Sequence, residues 1–166
     1  MKLLLLQLLC LSVFVSCTKE KEKLTDVEIF IQQVIGNKYT ADTLPWFTPE
    51  DIPAILKSAN NFAEITHFPV NPASSFEPTK LTIGECLLWT IENIRINYGN
   101  YPGKPPFPSL VPELKLKNDI NSVCLNDSQL REVYNLYYNW WYDNISKNFE
   151  ITRQIDPLKD SPYTWK

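Results

Sequence analysis

With 166 residues, 44% of them hydrophobic, the chain is long enough to bury one core without metals or a dense disulfide framework. Sixteen Lys and Arg against nineteen Asp and Glu leave a net charge of -3, and no basic cluster stands out, which excludes nucleic acid as an expected partner. Four glycines against thirteen prolines point to rigid connecting segments rather than flexible linkers.

The chain opens with Lys2 and then an apolar run from Leu3 to Val15, broken only by Gln7 and Ser12. A membrane-spanning helix needs about 20 apolar residues, so this run fits the core of a secretory signal instead. It closes on Phe14-Val15-Ser16-Cys17, an arrangement similar to a bacterial lipoprotein signal, in which the chain is cut before the cysteine and the thiol is acylated. The alternative is an ordinary cleaved signal with an incidental cysteine. Thr18 to Lys23 alternate Lys and Glu without an apolar residue and read as a solvated spacer. The expected organisation is therefore a signal over 1–16, a charged spacer over 17–23 and one helical domain over 24–166. The expected address is the cell envelope, with the lipid on Cys17 holding the domain close to a membrane.

Helix starts recur with good local chemistry. Thr25-Asp26-Val27-Glu28 is a capping box, followed by Val27, Phe30, Ile31, Val34 and Ile35 at helical spacing and by Gly36 as a stop. Thr48-Pro49 opens a second helix with proline at its first position, and Ile52, Ile55, Leu56 and Ala59 form its stripe, although Pro53 distorts the first turn. Thr82 with Glu85 caps a third, with Leu81 as the outer half of a hydrophobic staple and Cys86, Leu87, Thr90, Ile91 and Ile94 on one face. Asn126 or Asp127 caps a fourth, expected to reach Lys147. Proline-punctuated segments run from Asn61 to Lys80 and from Tyr98 to Leu125. Their Phe62, Phe68, Phe76 and Phe107 are expected to pack on the helices. No alternating strand pattern of useful length is present. The expected fold is mainly α: a single compact domain of about four helices with long proline-rich packed loops.

The fourth helix is heavily aromatic. Leu130, Val133, Tyr134, Tyr137, Trp141 and Ile145 share a core stripe, whereas Tyr138, Trp140 and Tyr142 fall partly off it. Those three are candidates for stacking on a sugar face, set against a helix buried on two sides. His67 is the single histidine. It is a weak catalytic candidate, for which Ser74, Ser75 or Asp51 would have to complete a triad. A lone loop histidine beside a proline is more often structural. No metal site and no cofactor are expected. Cys86 and Cys124 remain as thiols beyond Cys17. Export permits a bridge between them, but Cys86 also sits on an apolar stripe where a free thiol serves as a small hydrophobe.

Phe47 to Pro53, Ile65 to Pro72, Glu85 to Glu92, Tyr138-Asn139-Trp140-Trp141 and the ending Ile155 to Trp165 resemble lipoproteins of unknown function from Bacteroides and related gut bacteria. The resemblance implies an outer-membrane address and brings no catalytic residues. In such a source, Asp42-Thr43-Leu44 is similar to a short O-glycosylation signal, which makes Thr43 a glycosylation candidate. The expected function is a non-enzymatic, lipid-anchored binding or assembly module whose partner is an envelope protein or a glycan. The alternatives are a carbohydrate-binding lipoprotein using the fourth helix and a small hydrolase using His67.

Overall fold

A computed structural model describes residues 23–75, 77–78, 80–99, 107–119 and 124–166. The expected signal segment over 1–16, Cys17, most of the expected spacer and Phe76 lie outside the described residues. Helix α1 (Asp26–Ile35) starts at the Thr25–Glu28 capping box, in which Glu28 N–H reaches Thr25 Oγ1 at 3.4 Å and Thr25 N–H reaches Glu28 Oε2 at 2.8 Å. Ile35 faces solvent instead of the core. Thr48 opens a 3-10 turn over Pro49–Asp51 that runs straight into α2 (Ile52–Ala59). The tight first turn suits Pro53, which has no N–H to give to a regular helix.

Helix α3 (Ile83–Asn97) is the centre of the molecule. The sequence predicts one buried face, yet nearly every residue from Ile83 to Ile94 is buried, because α3 packs chiefly on α2 and also touches α1 and α4. Trp89 is fully buried, stacks on Phe107 at 5.3 Å and donates from Nε1 to Ser109 Oγ at 2.9 Å. Phe68 is buried against the same cluster, and Phe62 is half-buried there, so three of the four phenylalanines expected to pack on the helices do so, Phe76 lying outside the described residues. Helix α4 (Asp127–Asn144) ends short of Lys147, leaving Ile145 exposed. A further one-turn helix, α5 (Phe149–Thr152), follows it. No described helix is long and apolar enough to cross a membrane.

Mainly α holds, with two small antiparallel pairs added. Strand β1 (Glu64–Ile65) pairs with β2 (Leu81–Thr82), and β3 (Leu114–Leu116) pairs with β4 (Tyr163–Trp165), with Leu114 opposite Trp165. The Lys117 ammonium clamps the turn before β4 by donating to the carbonyls of Leu158, Lys159 and Ser161 at 2.7–2.9 Å.

Gly84 marks a close approach between α3 and the end of α2. Its N–H donates to Asn61 O at 2.7 Å, and a Cβ there would stand 2.5 Å from Ala59 O and 3.0 Å from Asn61 O, both backbone atoms. Gly84→Ala must therefore push the backbones apart. The expected loss is about 1–3 kcal/mol, read as a lower midpoint in urea denaturation. An unchanged midpoint would show that the contact yields freely.

Candidate functional site

The last turns of α3 carry two asparagines, Asn93 and Asn97, four apart on one face and both buried. Asparagine is a poor helix-interior residue because its side chain competes for backbone partners, and burying an amide requires hydrogen bonds. Here Asn97 Nδ2 donates to Asn93 Oδ1 at 2.7 Å, and Asn93 Nδ2 reaches Pro45 O at 3.5 Å. That second bond ties α3 to the extended segment carrying Trp46 and Phe47. Phe47 packs edge-on to Phe30 at 5.2 Å, which fixes the segment against α1. At the end of α3, Tyr98 turns out of the helix and packs edge-on to Phe149 at 4.8 Å. Gly99 follows with φ +84, a left-handed conformation that a side chain would strain.

These residues enclose a pocket of about 420 Å³. Trp46, Phe47 and Tyr98 supply aromatic surface, and Asn93 and Asn97 supply amides. Ile94 and the Thr48 side chain complete it, and no charged side chain lines it among the described residues. Stacking faces beside a few fixed polar groups are the common make-up of small-molecule sites.

His67 stands in a larger, more open groove of about 750 Å³, lined by the charged side chains of Asp42, Glu64, Glu77 and Lys80. Glu64 and Lys80 form an ion pair at 3.0 Å. Neither Ser74 nor Asp51 lines that groove. Asp51 instead accepts from Thr48 N–H at 2.9 Å and from the Thr48 hydroxyl at 3.2 Å. Among the described residues, no group of three or more His, Cys, Asp or Glu side chains is placed to hold a metal ion.

The aromatic platform expected on the fourth helix is rearranged. Trp140 is buried and donates from Nε1 to Thr152 O at 3.2 Å, because α5 folds back over it, so it offers no face to a ligand. Tyr138 and Tyr142 are exposed, at 42% and 44%. Their centroids lie 4.4 Å apart with planes tilted by 39°, so the two rings are not coplanar. Tyr134, assigned to the core stripe by its spacing, extends the same row at 6.0 Å from Tyr138, and all three rings border a groove against Pro53, Ala54 and Lys57 of α2.

Cys86 and Cys124 are free thiols and form no bridge. Cys86 is wholly buried within α3, where burial first and the neighbouring Glu85 second push its thiol well above the usual range, so it stays protonated as a small apolar group. Thr43 is exposed, and its carbonyl accepts from the Tyr39 hydroxyl at 2.6 Å.

Residues 21–166 match the family described as a domain of unknown function, DUF4943. The chain belongs to that family. No curated protein and no solved structure matches it. The DUF4943 region includes every element that builds the aromatic and amide pocket. Sequence reasoning passed over this pocket, although Asn93 and Asn97, four apart and interleaved with Ile91, Ile94 and Ile96, are a readable signal. Polar residues at that spacing in an apolar helix imply a buried, partnered pair.

Proposed function

We propose that this DUF4943 protein is a non-enzymatic ligand-binding module of the cell envelope, anchored by a lipid on Cys17 to the outer membrane, as in the Bacteroides lipoproteins it resembles. The pocket of aromatic rings and buried amides at the end of α3, with no charged side chain among its described lining residues, carries the reading. It offers stacking faces and hydrogen-bonding groups on rigid elements, which is what retaining a ligand requires. Trp46 and Phe47 also border a shallow groove that includes Asp26, the first residue of α1. The pocket therefore lies on the side where the chain leads back toward Cys17, nine residues earlier. At about 3.5 Å per residue, such a tether spans roughly 30 Å at most, which keeps a ligand in this pocket near the membrane.

The tests are separable. Metabolic fatty-acid labelling should mark the wild type, whereas Cys17→Ala should lose the label and stay precursor-sized; normal cleavage and release of that variant would remove the anchor. For the pocket, the full-length protein in detergent is incubated with a low-molecular-mass envelope extract and weighed by native mass spectrometry. A bound mass is expected for the wild type and not for Trp46→Ala or Tyr98→Ala. A mass retained by both variants would place binding elsewhere.

A second reading is favoured by the exposure of Tyr138 and Tyr142: the tyrosine row beside α2 is a contact surface for an envelope protein or a glycan.

A further inference from the structure

We infer that the Trp46–Tyr98 pocket binds a neutral sugar ring; this rests on the ligand-binding reading above and names its ligand class. Among the described residues, the lining holds no charged side chain. A phosphate, carboxylate or ammonium group entering it would lose water and gain no counter-charge, which is costly. Anionic nucleotides and uronic acids are thereby disfavoured. A purely apolar ligand fits poorly for the opposite reason, since it would cover the exposed Thr48 hydroxyl without bonding it.

A pyranose combines what the lining supplies. Its axial C–H groups form an apolar face that packs on an aromatic ring, and its rim of hydroxyls both donates and accepts. Trp46 and Tyr98 provide the rings, each partly exposed. An asparagine amide can donate twice and accept twice. Asn93 gives one bond to Pro45 O and takes one from Asn97, and at 1% exposed it stiffens the wall behind the rings rather than meeting the ligand. The exposed Thr48 hydroxyl donates to Asp51 and takes part in the capping box, which leaves it one lone pair for a sugar hydroxyl. The volume of about 420 Å³ lies at the small end of ligand sites, which suits a ring or a short disaccharide better than a long chain.

The other surfaces fit this chemistry less well. The His67 groove is lined by charges of both signs. The tyrosine row has tilted exposed rings and no asparagine or glutamine among its lining residues.

The test is a titration of the full-length protein in detergent, followed by tryptophan fluorescence and calorimetry. The ligands are glucose, galactose, mannose, N-acetylglucosamine and their disaccharides, with glucuronic acid and adenosine as the charged and nucleobase controls. Saturable binding of a neutral saccharide is expected. Trp46→Ala should weaken it at least about tenfold, and Trp46→Phe should retain most of it because a ring remains. Tyr98→Ala is a second variant should Trp46→Ala fold poorly. Tyr138→Ala should leave binding unchanged. If no neutral saccharide binds, or if binding is lost in Tyr138→Ala but not in Trp46→Ala, the sugar assignment is overturned. Adenosine binding that disappears in Trp46→Ala would overturn the sugar while leaving the pocket itself standing.

Discussion

Replacing Arg95 by Ala is expected to cost about 3–5 kcal/mol of folding stability, the usual result of stripping one partner from a buried ion pair. The Glu92 carboxylate is only 3% exposed and the Arg95 side chain 14%. The guanidinium grips both carboxylate oxygens at 2.7–3.1 Å and donates from Nη1 to Arg153 O at 2.9 Å. Glu92 Oε1 also accepts from the Tyr137 hydroxyl at 2.6 Å, and that hydroxyl in turn accepts from Trp165 Nε1 at 2.9 Å. Burial first, then the Glu92 carboxylate, push the Tyr137 phenol well above its usual range, so it remains a donor. The chain of bonds joins α3, α4 and β4, and it holds the C-terminal strand to the core. Removing Arg95 leaves a buried carboxylate with one neutral donor, a loss comparable to much of a domain's total stability of about 5–15 kcal/mol. Urea denaturation measures it. Adding Glu92→Gln to Arg95→Ala should recover part of the loss, since the buried charge is then gone. A loss below about 1 kcal/mol would mean that water reaches Glu92 and the pair behaves like a surface one.

The second large effect is a stability that falls as pH rises. Glu85 closes the capping box at the start of α3 and also reaches across to β3, where Leu114 N–H donates to its Oε1 at 3.1 Å. Burial pushes its carboxyl up to about 7 from an ordinary 4.5; the bonds from Leu114 and Thr82 pull the other way, and nearby Glu113 adds to the rise. With the folded value above the unfolded one, the folded state holds the proton more tightly. The stabilisation is complete below about 4.5 and is lost as pH climbs through about 7. The difference corresponds to about 3 kcal/mol. Urea midpoints of the wild type should therefore drop between pH 5 and pH 8 relative to Glu85→Gln, which cannot ionise. Identical pH profiles for the two proteins would show that Glu85 is not the titrating group.

Much of the fold is legible in the sequence because its signals are local. The capping boxes at Thr25, Thr82 and Asn126 each occupy four consecutive residues, and all three open helices where the spacing places them. The two strand pairs were not legible. Two or three residues cannot display alternation, and Leu114 finds its partner at Trp165, on the far side of α4. Helix-face arithmetic also misassigned particular residues. Trp140 falls off the α4 stripe but is buried because α5 returns over it, whereas Ile145 continues the stripe and yet lies past the helix end, exposed. Neither outcome is encoded within α4.

The sequence by itself determined the helix starts, the apolar segments, the acidic balance and the short N-terminal run ending at Cys17. All of these depend on residues adjacent in the chain. The tertiary structure alone decided which polar groups are inside. Glu85, Glu92, Asn93 and Asn97 share a helix that is buried on almost every side; the first three are partnered by segments remote in sequence, and Asn97 bonds to Asn93. The same holds for the pocket: Trp46 and Tyr98 meet because the segment before α2 is laid across the end of α3. Periodicity reports on which face of a helix is apolar, but burial is set by what covers that face. Here the covering chain supplies both the aromatic walls and the protection for the amides between them.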